Sequence, residues 1–175
     1  MKLCIFFSAL LLVYSCSERG KSDFPLSEGL PDQESWGVTI IMTHEGLIRA
    51  KVKSGHLQKF NEKEYIILDE NVVVDFFDLQ ENHTSTLFSD KSEINEKSND
   101  MLAIGNVIAK SDSGITLYTE RLQWIAKDEK LFTKDSIMIT TLEKDTLFGK
   151  GFESNADLES WRILNPSGVT GSEIR

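Results

Sequence analysis

Apolar residues fall into two patterns along this chain. Residues 3–13 form one unbroken run of apolar and small side chains. From about residue 34 onward, apolar and polar positions alternate with period two over short stretches, the spacing of half-buried β-strands. Expected strands cover residues 38–42, 47–53, 65–68, 72–77, 84–90, 102–110, 115–124, 130–132, 136–142 and 145–152. In the second of these, Ile48, Ala50 and Val52 share one face and the charges take the other. Asp69-Glu70-Asn71, Gly105-Asn106, Asp112-Ser113-Gly114 and Lys127-Asp128-Glu129 supply turn signals between strands. Only residues 92–99 and 156–160 read as able to hold a helical turn. The expected class is therefore all-β.

The strands recur. Thr-Leu stands at Thr86-Leu87, Thr116-Leu117 and Thr146-Leu147, a constant step of 30 residues. At the same offset Ser89-Asp90 maps to Thr119-Glu120, Ile94 to Trp124 and Val107 to Ile137. A period of that length, holding two or three short strands, points to a stacked β repeat. A plain antiparallel sandwich is the other reading.

The N-terminal run differs in kind. Lys2 precedes it, and it spans about half of the roughly 20 residues that a membrane-crossing helix needs. It ends in Val13-Tyr14-Ser15-Cys16, where polar sequence begins at once. A charge, an apolar run and a small residue before a break mark a secretory signal. The Cys after them resembles the lipobox of bacterial lipoproteins, although Tyr14 is bulkier than that motif favours. Residues 1–15 are expected to be a signal peptide cut before Cys16, whose thiol takes the lipid. Residues 16–36, polar and broken by Pro25, Gly29 and Pro31, read as the lipidated cysteine and a linker with a reach of about 25 Å. The folded domain is expected over residues 37–168 and a tail over 169–175.

Cleavage would remove Cys4, leaving Cys16 without a partner and the chain without a disulfide or a cysteine-based zinc site. It would also remove Lys2, leaving 28 acidic against 18 basic side chains. So acidic a chain repels phosphate backbones, which argues against nucleic-acid binding and against a basic patch for anionic lipid. His44, His56 and His83 lie in separate segments without metal-ligand spacing. Asp75 and Asp78 flank Phe76-Phe77 as strand-end acids rather than a catalytic pair. No nucleophile elbow or P-loop occurs. No catalytic residue, metal or cofactor is expected.

Several motifs then carry a family resemblance. They are Gly105-Asn106-Val107-Ile108, Gly114 followed by Leu117-x-Thr119-Glu120-x-Leu122-x-Trp124, and, after a charged turn, Ile137-x-Ile139. In that order they resemble the repeat of the OstA-like lipopolysaccharide-transport proteins. Thr43-x-x-Gly46-x-x-Arg49-Ala50, Asp145-Thr146-Leu147-Phe148-Gly149-x-Gly151-Phe152 and Asp157-Leu158-x-x-Trp161-x-Ile163-x-Asn165-Pro166-x-Gly168 are similar to its LptC-like, membrane-anchored branch. The resemblance covers residues 34–168 and implies an open, V-shaped antiparallel β-jellyroll.

It also implies that acyl chains of lipopolysaccharide slide between the two sheets. Candidate groove residues are Ile48, Val52, Val74, Phe76, Leu87, Val107, Leu122, Trp124, Ile137, Ile139 and Leu147. Alternation alone marks them only as core. The implied partners are lipopolysaccharide, an inner-membrane ABC transporter (LptB/LptF/LptG-like) and an LptA-like bridge protein that adds strand to strand. The expected edges lie within residues 38–52 and 137–163. The implied place is the periplasmic side of the inner membrane, although Ser17 after the cysteine fits outward sorting by the enterobacterial rule. The alternative is an outer-membrane or surface lipoprotein that binds sugar or protein through a β-sandwich.

Overall fold

The computed structural model describes residues 29–167, and these hold eleven β-strands and no helix. In chain order the strands are β1 (Gln33–His44), β2 (Leu47–Phe60), β3 (Tyr65–Asp69), β4 (Val72–Phe77), β5 (His83–Ser89), β6 (Lys91–Asn95), β7 (Met101–Ser111), β8 (Thr116–Ile125), β9 (Lys130–Thr140), β10 (Thr146–Asn155) and β11 (Trp161–Ser167). All neighbouring strands run antiparallel in one sheet.

That sheet folds on itself because its long strands each serve two layers. One end of β2 pairs with β4 from Ala50 to Lys53, and its other end pairs with β3 from His56 to Phe60. β7 does the same, with β5 beside Ile108 and Ala109 and β6 beside Met101 to Ile104. β4 and β5 thus belong to a first layer, β3 and β6 to a second. Between the layers the registers slip: between Ile104 and Val107, between Thr119 and Gln123, and between Lys150 and Phe152. Bulges of this kind bend a strand and raise its twist. The bend in β7 falls on Gly105-Asn106, at φ +78° and +46°. A Cβ on Gly105 would stand 2.7 Å from Asp90 Oδ2, and that oxygen accepts the Asn106 side-chain amide at 2.7 Å. The position needs a residue without a side chain, and the pair locks the crease.

Alternation then determines what the crease encloses. In the first layer Ile40, Val52, Val74, Leu87, Ala109, Leu117, Ile139 and Leu147 are successive register partners across eight strands, all turned inward. All three leucines of the 30-residue repeat stand in this row, and their threonines stand in the next, outward one. In the second layer Ile66, Ile94, Met101, Trp124 and Leu131 form a facing row. The Phe76 and Trp124 rings meet across the layers, with centroids 5.2 Å apart. Burying such a side chain contributes about 1.5–3 kcal/mol.

Several boundaries differ from the sequence reading. Gln33 to Trp36 belong to β1, opposite Lys59 to His56, so the strand starts inside the expected linker. Gly105-Asn106 is a bulge within β7 rather than a turn between strands. Lys91–Asn95 is a strand, since Ser92 and Ile94 fill inward positions between β3 and β7. β9 is a single strand through Lys134-Asp135. β11 had no counterpart among the expected strands, and the C-terminal edge lies there. Pro166 fits an edge strand, where a missing N–H costs no ladder bond. Cys16, the signal segment, most of the linker and the tail fall outside the described residues.

Candidate functional site

Both ends of the sheet are free among the described residues. Among the described residues β1 pairs only with β2, and β11 only with β10. The first-layer inward row runs from Ile40 on the β1 edge to Leu147 on β10, one strand short of the β11 edge. At about 4.8 Å between strands, the eight-strand row spans roughly 34 Å. Its middle is sealed: Val52, Val74, Leu87, Ala109, Leu117 and Ile139 are buried. Its ends are not. Val38, Ile40 and Met42 beside β2, and Leu147, Trp161 and Ile163 at the other edge, are only half-buried. The apolar interior is therefore covered by its own side chains in the centre and opens at both edges.

At the β1 edge the opening is a cavity of about 330 Å³. Ile40, Met42 and Ala50 line it from the first layer; Ile66, Ile94 and Trp124 line it from the second. Arg49 reaches over it. The β1–β2 register slips here, with Met42 opposite Ala50 and Thr43 opposite Ile48, which leaves Arg49 as the extra residue of a bulge. The Arg49 guanidinium meets both carboxylate oxygens of Glu129 at 3.1 Å, tying β2 to the β8–β9 turn of the other layer.

Toward β11 the mouth is covered differently. Ser85 Oγ and Ser111 Oγ donate to the carbonyls of Ala156 and Asp157, at 2.5 and 2.6 Å, across from the β10–β11 turn. Leu158 of that turn is fully buried at φ +60°, a left-handed conformation that a leucine holds only where packing enforces it. Near the crease the interior turns polar, with Ser89, Ser92, Thr119 and Thr133 buried. Their hydroxyls are bonded: Ser89 to Ser92 at 3.1 Å and Thr119 to the Ser136 carbonyl at 3.0 Å.

Ten of the eleven groove candidates stand on these inward faces. Val52, Val74, Phe76, Leu87, Val107, Leu122, Trp124, Ile137 and Ile139 are buried, and Leu147 is half-buried at the edge. Ile48 is the exception in place: it is half-buried beyond the Arg49 bulge, outside the core cluster, and its N–H donates to Glu81. Sequence reasoning missed Ile40, Met42, Ile66, Ile94, Leu131 and Phe152, and also Leu117, which stands in the repeat itself. The repeat offset was the signal for Leu117. Arg49 stood in the LptC-like motif, but counting by twos could not foresee the bulge that turns it toward the cavity.

Other chemistry finds no support in the geometry. Among the described residues no three His, Asp or Glu side chains gather as a metal site. Asp75 accepts from Lys53 and Thr86 at 3.3 and 3.2 Å. Asp78 closes the β4–β5 turn. The Asn82 side chain and backbone, then the Gln80 N–H, hold its carboxyl below the usual carboxylate range, with Arg49 adding a smaller pull.

Comparison with known proteins turns this geometry into an assignment. A family model described as "Lipopolysaccharide-assembly, LptC-related" matches residues 3–170, nearly the whole chain. The chain belongs to the LptC-related family. Among solved structures it is similar to LptH of Pseudomonas aeruginosa, described as the LptA-homologous periplasmic component of the conserved lipopolysaccharide transport device. That likeness has a TM-score of 0.52 at 12% identity and covers 71% of this chain and 86% of LptH. At that identity it establishes the fold, a β-jellyroll. Comparison with curated protein sequences gives no match. As an LptC-related protein the chain is a non-enzymatic component of lipopolysaccharide assembly.

Proposed function

We propose that this LptC-related protein is a periplasmic, membrane-anchored segment of a lipopolysaccharide bridge. Lipid on Cys16 holds it at the inner membrane. It takes lipopolysaccharide from an LptB/LptF/LptG-like ABC transporter and passes it to an LptA-like jellyroll. The observation that carries this reading is the continuous inward apolar row from Ile40 to Leu147, half-buried at both of its ends. An acyl chain needs an unbroken apolar path, since each buried methylene contributes about 0.8 kcal/mol. The backbone edges of β1 and β11, unpaired among the described residues, offer a neighbouring jellyroll a place to add a strand, so that its row continues this one.

Photo-crosslinking in cells with active export tests the path. Probes replacing Ile40, Phe76, Trp124 or Leu147 should capture lipopolysaccharide, and probes at outward Thr86, Glu120 or Lys134 should not. Equal capture at inward and outward positions, or none at all, would reduce the row to a core. Palmitate labelling that is unchanged by Cys16→Ser would remove the anchor.

A further inference from the structure

Arg49 is an oddity in its own surroundings. It borders an apolar cavity, its side chain is 14% exposed, and its Nε and Nη1 are buried without a hydrogen-bond partner among the described residues. Among the described residues its one side-chain partner is Glu129, which is 44% exposed and reaches it through a single guanidinium nitrogen, Nη2. Buried donors left unpaired carry a desolvation cost. A bulge commonly re-aims a side chain beside a functional site, and this one turns Arg49 toward the mouth of the groove. The other acids nearby are already engaged: Glu96 of the cavity wall accepts Lys59 at 2.6 Å, and Asp78 is held by its own turn.

From this arrangement we propose that Arg49 is the anion-recognition residue of the groove mouth. It exchanges Glu129 for the acidic head group of an acylated amphiphile. The acyl chain lies among Met42, Ile66, Ile94 and Trp124. The head group's oxygens, phosphate or carboxylate, reach the planar guanidinium, whose fork suits both. Glu129 is the resting occupant: it keeps the arginine neutralised while the cavity is empty and swings into solvent when a ligand arrives. A cavity of about 330 Å³ falls at the lower end of the roughly 300–1,000 Å³ typical of small-ligand sites, enough for one chain rather than several. The inference rests on the groove reading and adds a selection step to it. An uncharged chain of the same length should enter less readily than a charged one.

Trp124 lines the cavity and reports directly. The test uses the full chain carrying Cys16→Ser, Trp36→Phe and Trp161→Phe, titrated with 12-bromododecyl phosphate, 12-bromododecanoate and 12-bromododecanol. Bromine on the chain quenches Trp124 on entry. Both acidic probes should quench at concentrations at least tenfold below that of the alcohol. Arg49→Gln should abolish that difference and leave the alcohol curve in place. Arg49→Lys should keep part of it, and Glu129→Gln should tighten the acidic probes further by removing their competitor. Phosphate ahead of carboxylate would indicate a phosphorylated lipid, and the reverse a fatty acid. The double variant Arg49→Gln/Glu129→Gln, compared by thermal unfolding, separates binding from folding. Equal quenching by acid and alcohol in the parent chain would overturn the arginine's role and leave the groove standing. So would an acid preference that survives Arg49→Gln. No quenching by any probe would overturn both.

Discussion

Leu117 and Leu147 are the same residue in the same inward row, 30 positions apart in the repeat, yet they lie in different regions of the molecule. Leu117 has Ala109 and Ile139 on either side and is fully buried. Leu147 has Ile139 on one side and, among the described residues, no register partner on the other, because the β10–β11 pairing begins at Phe148; it is half-buried. The chemistry is identical; what differs is how many strands flank it. The middle of the jellyroll therefore behaves as a core whose closure stabilises the fold, while the edges carry the same apolar surface with room to meet something else. A lipid path through such a fold has to open its middle, and it can be entered at its ends without cost to the fold.

The largest effect should come from a charge in the middle. Ile139 has no exposed surface, so Ile139→Asp buries a carboxylate with no partner. We expect about 3 kcal/mol or more of lost stability, and in many conditions no folded protein. Denaturant unfolding of the variant measures it. A charge there is consequently a poor probe of transport, because folding fails first. A loss under about 1 kcal/mol would mean that the middle is already wet, erasing the distinction between middle and edge.

Truncation sharpens the comparison within one residue type. Leu117→Ala should cost about 2–5 kcal/mol, the range for buried leucines, whereas Leu147→Ala should cost about 1 kcal/mol or less. The pair differs only in position, so the ratio of the two losses reads the difference in packing directly. Equal losses would place the β11 edge inside the core.

The smallest effect concerns how β11 is held. Hydrogen bonds from Lys130 and then Arg162 hold the Glu153 carboxyl below the ordinary glutamate value of 4.5. A carboxyl lowered on folding contributes stability above its unfolded value and loses it as pH falls through the lowered one. Acidification from about pH 6 to about pH 3 should loosen β11 before the middle of the sheet. Amide chemical shifts of Ile163 and Leu164 should move ahead of those of Leu117, and Glu153→Gln should remove that lead. Simultaneous movement would show that β11 depends on other contacts.

How much of this was visible in the sequence follows from the same geometry. The all-β class and the row itself were legible, because alternation and the Thr-Leu spacing are local signals that survive folding. Val52, Val74, Leu87 and Ile139 could be placed on one wall by counting. The crease was not legible. Gly105-Asn106 uses turn residues, and only the pairing of Met101 to Ile104 with β6 and of Ile108 and Ala109 with β5 reveals one strand bending through two layers. Lys91–Asn95 carries just two inward side chains in a polar stretch, so its strand is defined by its neighbours. β11 was passed over for the same reason: Trp161 and Ile163 face in, and Asn165-Pro166-Ser167 carries no alternation. Arg49 is the sharpest case, since a single-residue bulge reversed its side and displaced Ile48 from the wall.

The claim that matters most is that the sealed interior is a path that lipid opens. Spin labels at Thr86 and Gln123, outward positions on opposite layers, measure the opening by pulsed electron resonance on the full chain. Rough-form lipopolysaccharide should lengthen that distance, and the delipidated sugar should leave it unchanged. A distance that stays fixed while lipopolysaccharide is bound would contradict the account, because the acyl chains would then lie outside the jellyroll.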